Sequence, residues 1–167
     1  DSRSVSLGLG LLALAAAKYA AENDDYKAVA EYVRALAPRM RVLFVVDTLE
    51  YLHKGGCIGG AKRLLGSVLS IKPVLHLDDG KIEPLASIRT KNKAIRHMLD
   101  LVLGEMKDKR RVHAGVIHAR APEDAAYIAQ QVRDVAHPDE LLVNELTPVI
   151  GANVGPGVVG MGYYTEV

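Results

Sequence analysis

The chain has 167 residues, 49% of them hydrophobic and 25% charged, which is the range of a folded globular chain and excludes a disordered one. Lys and Arg number 21 against 20 Asp and Glu, and the net charge of +1 argues against a nucleic-acid binder. A single cysteine, Cys57, excludes an internal disulfide framework and a multi-cysteine zinc site, so a reducing cytoplasm is the expected setting.

The chain opens on Asp1-Ser2-Arg3-Ser4 without a Met and is expected to be a fragment. Residues 7–21 are rich in Ala and Leu but contain Lys18 and Tyr19. Fewer than about 18 uninterrupted apolar residues argues against a membrane span, and no basic segment precedes them as a cleavable signal requires. A helix packed on nearly all sides is expected there. Asn23-Asp24-Asp25 breaks it and caps the next helix, residues 26–39, where Val29, Tyr32, Val33 and Leu36 recur at helical spacing.

Residues 41–47 (RVLFVVD) read as a strand and residues 48–54 as a helical turn stopped by Gly55-Gly56. A helix is expected over 61–69. Residues 71–77 and 82–89 flank Asp78-Asp79-Gly80, a hairpin signal. Residues 91–106 form a long amphipathic helix carrying Ile95, Met98, Leu99, Val102 and Leu103. A strand follows over 112–118, a helix from Pro122 to 136 and a strand over 141–146. Residues 151–162 read as a glycine-rich segment, and 161–167 as a last strand. Alternating helices and strands make the class α/β, with an antiparallel component from the hairpin.

Several nucleotide and metal motifs fail. Gly8-x-Gly10-x-x-Ala13 lacks a preceding strand, and Gly155-x-Gly157-x-x-Gly160 leaves no room for the helix that would hold a pyrophosphate. Gly55–Lys62 resembles a P-loop, but Ala61 stands where the Walker pattern needs Lys. His113 and His118 are five apart on a strand and face opposite ways, so they share no metal and read as packing or edge residues. Cys57 reads as a small space-filling residue, because no His or Asp partner can be assigned to it. No catalytic residue and no metal ligand is assigned.

What remains is an acid-free window over residues 51–77 that holds Lys54, Lys62, Arg63 and Lys72 around Gly55, Gly56, Gly59 and Gly60. Cations with exposed amides attract anions, although a solvated basic face reads equally well. Arg89-Thr90 stands at a strand-to-helix turn, where an Arg can hold a carboxylate or phosphate. In residues 148–162, Asn153 alone has both a side-chain donor and an acceptor. Aromatics are 5%, so a cavity would be aliphatic and suited to a flexible hydrocarbon.

These segments, in order, resemble the DegV family of bacterial fatty-acid-binding proteins. The resemblance rests on Asp1–Ser6 with Gly8-Leu9-Gly10, on residues 44–52 (FVVDTLEYL) with His53-Lys54-Gly55-Gly56, and on residues 66–73 (GSVLSIKP). It continues through Asp79–Ile82 with Pro84-Leu85, Arg89-Thr90-Lys91, Gly151 and Gly155-Pro156-Gly157. It implies a DegV-like α/β fold with a mixed sheet, residues 1–50 being the rest of an amino-terminal lobe and 51–167 a carboxy-terminal lobe. It implies a lipid carrier rather than an enzyme, holding a long-chain fatty acid while a partner fatty-acid kinase phosphorylates the carboxylate. By the same resemblance Arg89 and Asn153 lie near the head group, Ser2, Gly155 and Gly157 near the pocket mouth, and Lys54, Lys62 and Arg63 on a partner or anion surface. The family pattern has Arg where Cys57 stands and His where Asn153 stands, and a Thr and a Ser of its head-group network lie in an amino-terminal half outside this chain. The site here is therefore expected to be half a site, with bare apolar surface leading to a homodimer, strand exchange or rearrangement. No cofactor, nucleic acid or stable membrane insertion is expected. The competing expectations are a phosphotransferase using the basic glycine window and an interaction module that has lost lipid binding.

Overall fold

The structure, a computed structural model, describes residues 1–66, 71–107 and 109–166. In chain order it contains α1 (Ser6–Glu22), α2 (Tyr26–Leu36), β1 (Arg41–Val45), α3 (Glu50–Lys54), β2 (Lys72–Asp78) and β3 (Lys81–Ile88). There follow α4 (Lys91–Met106), β4 (Val112–His118), α5 (Pro122–Ala136), β5 (Glu140–Glu145), α6 (Pro148–Val154) and β6 (Val159–Thr165).

The six strands form one sheet in the order β3-β2-β1-β6-β4-β5. Only the β4–β5 pair is parallel, so the sheet is mixed, as expected. The apolar β-branched run of β1 suits its central place, buried on both faces. The hairpin turns on Asp79 (φ 50°) and Gly80 (φ 78°), the double positive φ that a two-residue turn of this hand requires. Asp25 caps α2 by accepting from the Lys27 N–H at 2.8 Å. The helix expected to reach residue 39 ends at Leu36, and Pro38 tightens Ala37–Arg39 into a 3-10 turn.

Helices cover both sheet faces. Ile95, Met98, Leu99 and Val102 of α4 and Ile128 and Val132 of α5 pack on Leu43, Val45, Val74 and Val116. On the other face, α3 and α6 pack over Val42, Phe44, Val46 and Ile117, while α1 and α2 pack near Tyr164. β1 is hydrogen-bonded on both sides to strands from beyond residue 50.

Two further expectations need correction. α1 buries one stripe, Gly8, Leu11, Leu12 and Ala15, while Leu9 and Leu14 remain 48% and 38% exposed. Its uniformly apolar sequence fits all-round packing, but α2 and the sheet cover one side only. The helix expected over 61–69 is a 3-10 turn, Gly59–Leu64, because Gly59 (φ 52°) and Gly66 (φ 91°) bracket it with conformations that no α-helix continues. Residues 67–69 of that expectation, and residues 67–70 of the GSVLSIKP segment, lie outside the described residues. Within the glycine-rich segment, α6 occupies the start and β6 begins at Val159.

α1 approaches the sheet closely. A Cβ added at Gly162 would lie 3.2 Å from the Gly8 nitrogen and 3.4 Å from its Cα, and one at Gly115 3.2 Å from the Leu7 Cβ. At the sheet's other face, the Tyr163 hydroxyl donates to Glu105 Oε2 at 2.6 Å, and Arg41 donates to Oε1 at 3.1 Å. Burial first, and the Glu105 carboxylate second, push that hydroxyl well above its ordinary pKa, so it remains a donor.

Two substitutions test these contacts. Gly162→Val should push α1 off the sheet and destabilise by about 1–3 kcal/mol in urea unfolding, as overpacking does. Tyr163→Phe should cost about 1–2 kcal/mol by the same measurement, by removing a bond to a charged acceptor without changing the packing.

Candidate functional site

Between the start of α1, the sheet and α6 lies an apolar cavity of about 60 Å³. Its floor is Val42 and Phe44 of β1, Leu77 of β2 and Ile117 of β4; Leu7 and Gly8 roof one end, and Ile150 and Val154 of α6 the other. Ser6 is the one lining residue with a polar side chain. The volume is well below the roughly 300 Å³ at which ordinary ligand pockets begin. Val42 and Leu77 also line a polar cleft of about 490 Å³, with residues 1–4, Arg34, Arg41, Asp78 and Asp79. Ser2 sits in this cleft, and its hydroxyl donates to the Ser4 carbonyl at 3.2 Å.

The α6 end is built by glycines. Gly155 (φ 85°) and Gly157 (φ 81°) turn the chain from α6 into β6. A Cβ at 155 would overlap the Tyr51 ring, and one at 157 the Asp47 carboxylate. The turn is fixed to β4, since the Gly157 N–H donates to the Ala119 carbonyl at 2.7 Å. Asn153 is already engaged: its Nδ2 donates to the Val149 carbonyl at 2.8 Å, and Cys57 Sγ lies 3.9 Å from its Oδ1. The two departures from the family pattern are therefore neighbours. Cys57 is exposed and does not fill space in a core, which corrects that expectation.

Beneath Gly157, Asp47 gathers the cations. Lys72 Nζ donates to its carbonyl at 2.9 Å and its Oδ1 at 3.1 Å, and Lys91 Nζ lies 3.7 Å from Oδ2 and 2.8 Å from Asp124. Sequence reasoning missed Asp47, Lys91 and Asp124. The available signal for Asp47 was its place as the only acid closing a buried strand run. Arg89 follows Ile88, which pairs with Lys72, so it stands at this same end of the sheet. It is exposed, with no ion-pair partner among the described residues.

The structure thus brings Asn153, Gly155 and Gly157 together with Cys57 and Tyr51, and sets Arg89 at the same sheet end. Ser2 lies at the opposite end, beside the β2–β3 turn. The basic window is largely neutralised by acids from outside it: Lys54 pairs with Glu50 at 2.6 Å, Arg63 with Glu83 at 3.8 Å and Lys72 with Asp47. The hydrogen bond from Lys54 holds the Glu50 carboxyl below its usual pKa, but both groups are exposed and the pair adds little stability. Lys62 alone among the four has no ion-pair partner among the described residues.

His113 and His118 lie at opposite ends of β4. His113 is buried, stacks on Tyr164 with ring centroids 4.7 Å apart, and places Nδ1 3.3 Å from Glu140 and Nε2 3.2 Å from Glu166. Burial alone would raise the Glu140 pKa, but Lys18 and His113 outweigh it and hold the carboxyl below its ordinary value. His118 accepts from the Ala121 N–H at 3.4 Å. Among the described residues no group of three His, Cys, Asp or Glu is placed to hold a metal ion, and no helix is long and apolar enough to cross a membrane.

The family model described as "Uncharacterised protein, DegV family" matches residues 1–166. DegV domain-containing proteins of Clostridium acetobutylicum and Streptomyces coelicolor are 37% identical over 166 residues and 38% identical over 162 residues. Those matches cover 99% and 96% of this chain but 58% and 57% of the relatives, so the chain spans under three-fifths of their length. A DegV family protein from Thermus thermophilus, described by its fatty-acid binding, superposes with a TM-score of 0.93 at 34% identity, covering 99% of this chain and 60% of that one. DegV of Bacillus subtilis, described as a fatty acid binding protein, gives 0.86 at 30% identity, covering 99% and 59%. The chain belongs to the DegV family.

Proposed function

We propose that this chain binds a long-chain fatty acid and presents its carboxylate to a partner kinase that forms the acyl phosphate. The observation that carries the reading is the cavity over the sheet, apolar on all sides but for Ser6, with one end at the glycine turn of α6. The acyl chain lies along Val42, Phe44 and Ile117, and its carboxylate reaches the end where Arg89 and the 153–157 turn stand. Burying a methylene contributes about 0.8 kcal/mol, so a dozen supply roughly 10 kcal/mol before the costs of ordering. At about 60 Å³ the cavity takes a long chain only when its walls part. Fatty-acid binding by the Thermus and Bacillus relatives, which match nearly all of this chain, supports the reading.

The protein acts as a carrier, with no catalytic residue and no cofactor beyond the bound acid. Lys62, with Lys54 and Arg63 beside it, faces the kinase. The exposed apolar side of α1, including Leu9 and Leu14, is the surface that a second copy would cover in a homodimer. A cytoplasmic site of action fits a single exposed thiol. One observation favours a second reading, an interaction module without lipid: Asn153 spends both of its polar atoms on Val149 and Cys57.

Lipid extraction of the purified chain, followed by mass spectrometry, should recover a long-chain fatty acid. No acyl chain recovered, together with no binding of added fatty acid, would rule the reading out. Arg89→Ala should weaken fatty-acid binding by about 5-fold at most, the worth of one exposed ion pair. A combined Cys57→Arg and Asn153→His variant should tighten binding of the carboxylate; if the original chain binds nothing and the variant binds, the lipid-free reading holds and its cause is identified.

A further inference from the structure

Among the described residues, Val42 and Leu77 are the only ones that line both the apolar cavity and the polar cleft. They are cross-strand neighbours: β1 and β2 pair Leu43 with His76, and one step along the same register sets Val42 opposite Leu77. Among the described residues, the partition shared by the two cavities is thus this one pair of side chains. On one side lie Phe44, Ile117 and Val154; on the other lie Ser2, Ser4, Arg34, Arg41, Asp78 and Asp79.

The two sides treat a methylene differently. On the apolar side it leaves water for a hydrocarbon wall, and each one gained raises affinity roughly fourfold. On the polar side it meets the charged and hydroxyl-bearing lining of the cleft, Ser2, Ser4, Arg34, Asp78 and Asp79 among it. A hydrocarbon lodged against them displaces the water that solvates those groups, which opposes its entry.

We infer that the Val42–Leu77 pair is the end wall that sets the length of acyl chain this protein takes. The inference rests on the fatty-acid reading, with the carboxylate at the α6 end and the methyl end running toward β1 and β2. The site is then bounded by two small aliphatic side chains rather than by the fold. Leu77 stands next to the last residue of β2, so its side chain can change without a strand being lost.

Binding of saturated acids from dodecanoic to eicosanoic acid, measured calorimetrically on the 167-residue chain, tests the wall. Affinity should climb roughly fourfold per added methylene and then break. Leu77→Ala and, separately, Val42→Ala should move the break to longer acids, and Leu77→Phe to shorter ones, with circular dichroism confirming folded variants. A break that stays in place in folded variants that still bind overturns the inference, as does a series without a break. If the unaltered chain binds none of the acids, the fatty-acid reading itself fails and the wall falls with it.

Discussion

The contact on which both cavities depend is that of α1 with the sheet. Gly8 and Gly162 meet backbone to backbone, with Gly115 beneath Leu7. Glycine is needed because any side chain at 162 would have to displace the helix axis or the strand. This approach brings Leu7 down over the sheet and leaves a narrow gap beside it, the apolar cavity, rather than a filled layer or an open groove. It also delivers the preceding residues to the β2–β3 turn, where Arg3 pairs with Asp79 and the polar cleft forms. One glycine contact therefore sets the width of the apolar space and the position of its polar neighbour.

The opposite end depends on a second glycine contact. The Asp47 carboxylate occupies the space that a side chain at Gly157 would take, and Lys72 and Lys91 pair with it there. Lys91 also reaches Asp124, so β1, β2 and the starts of α4 and α5 meet at one point. Each of these half-exposed pairs adds little by itself, about 0–1 kcal/mol. Their shared geometry matters more, because it occupies the nearest cations and leaves Arg89 exposed beside them. The α6 turn is thereby anchored to the sheet while α6 itself, only seven residues long, carries the cavity wall.

The strands and the hairpin were legible because β-branched runs and Asp-Gly carry strong local signals. The burial of α1 was not: a helix apolar all round has no periodicity to show which side is covered. α6 was hidden because Gly151 lowers helix propensity in an element of only seven residues, and tertiary packing of Ile150 and Val154 overrides it. The basic window misled for a different reason. Local sequence shows which charges are near in the chain, whereas Glu50, Glu83 and Asp47 reach those cations through a helical turn, a strand pairing and a strand end. Residues 153, 155 and 157 were located by resemblance and not by spacing, and the neighbouring positions of Cys57 and Asn153 required the fold.

That neighbouring pair bears on where affinity for an amphiphile comes from. Asn153 and Cys57 are neutral in character and engaged with each other and with the α6 backbone, so neither offers a fixed positive charge to a carboxylate. Lys72 and Lys91 are committed to Asp47. Arg89 remains, and an exposed guanidinium is screened by salt and held in no fixed orientation. An exposed ion pair of this kind is worth about as much as one buried methylene, each near 1 kcal/mol. Under the proposed fatty-acid reading, the balance of recognition would rest on the hydrocarbon: the number of methylenes that fit between α6 and the inferred Val42–Leu77 wall would outweigh any single contact at the head group.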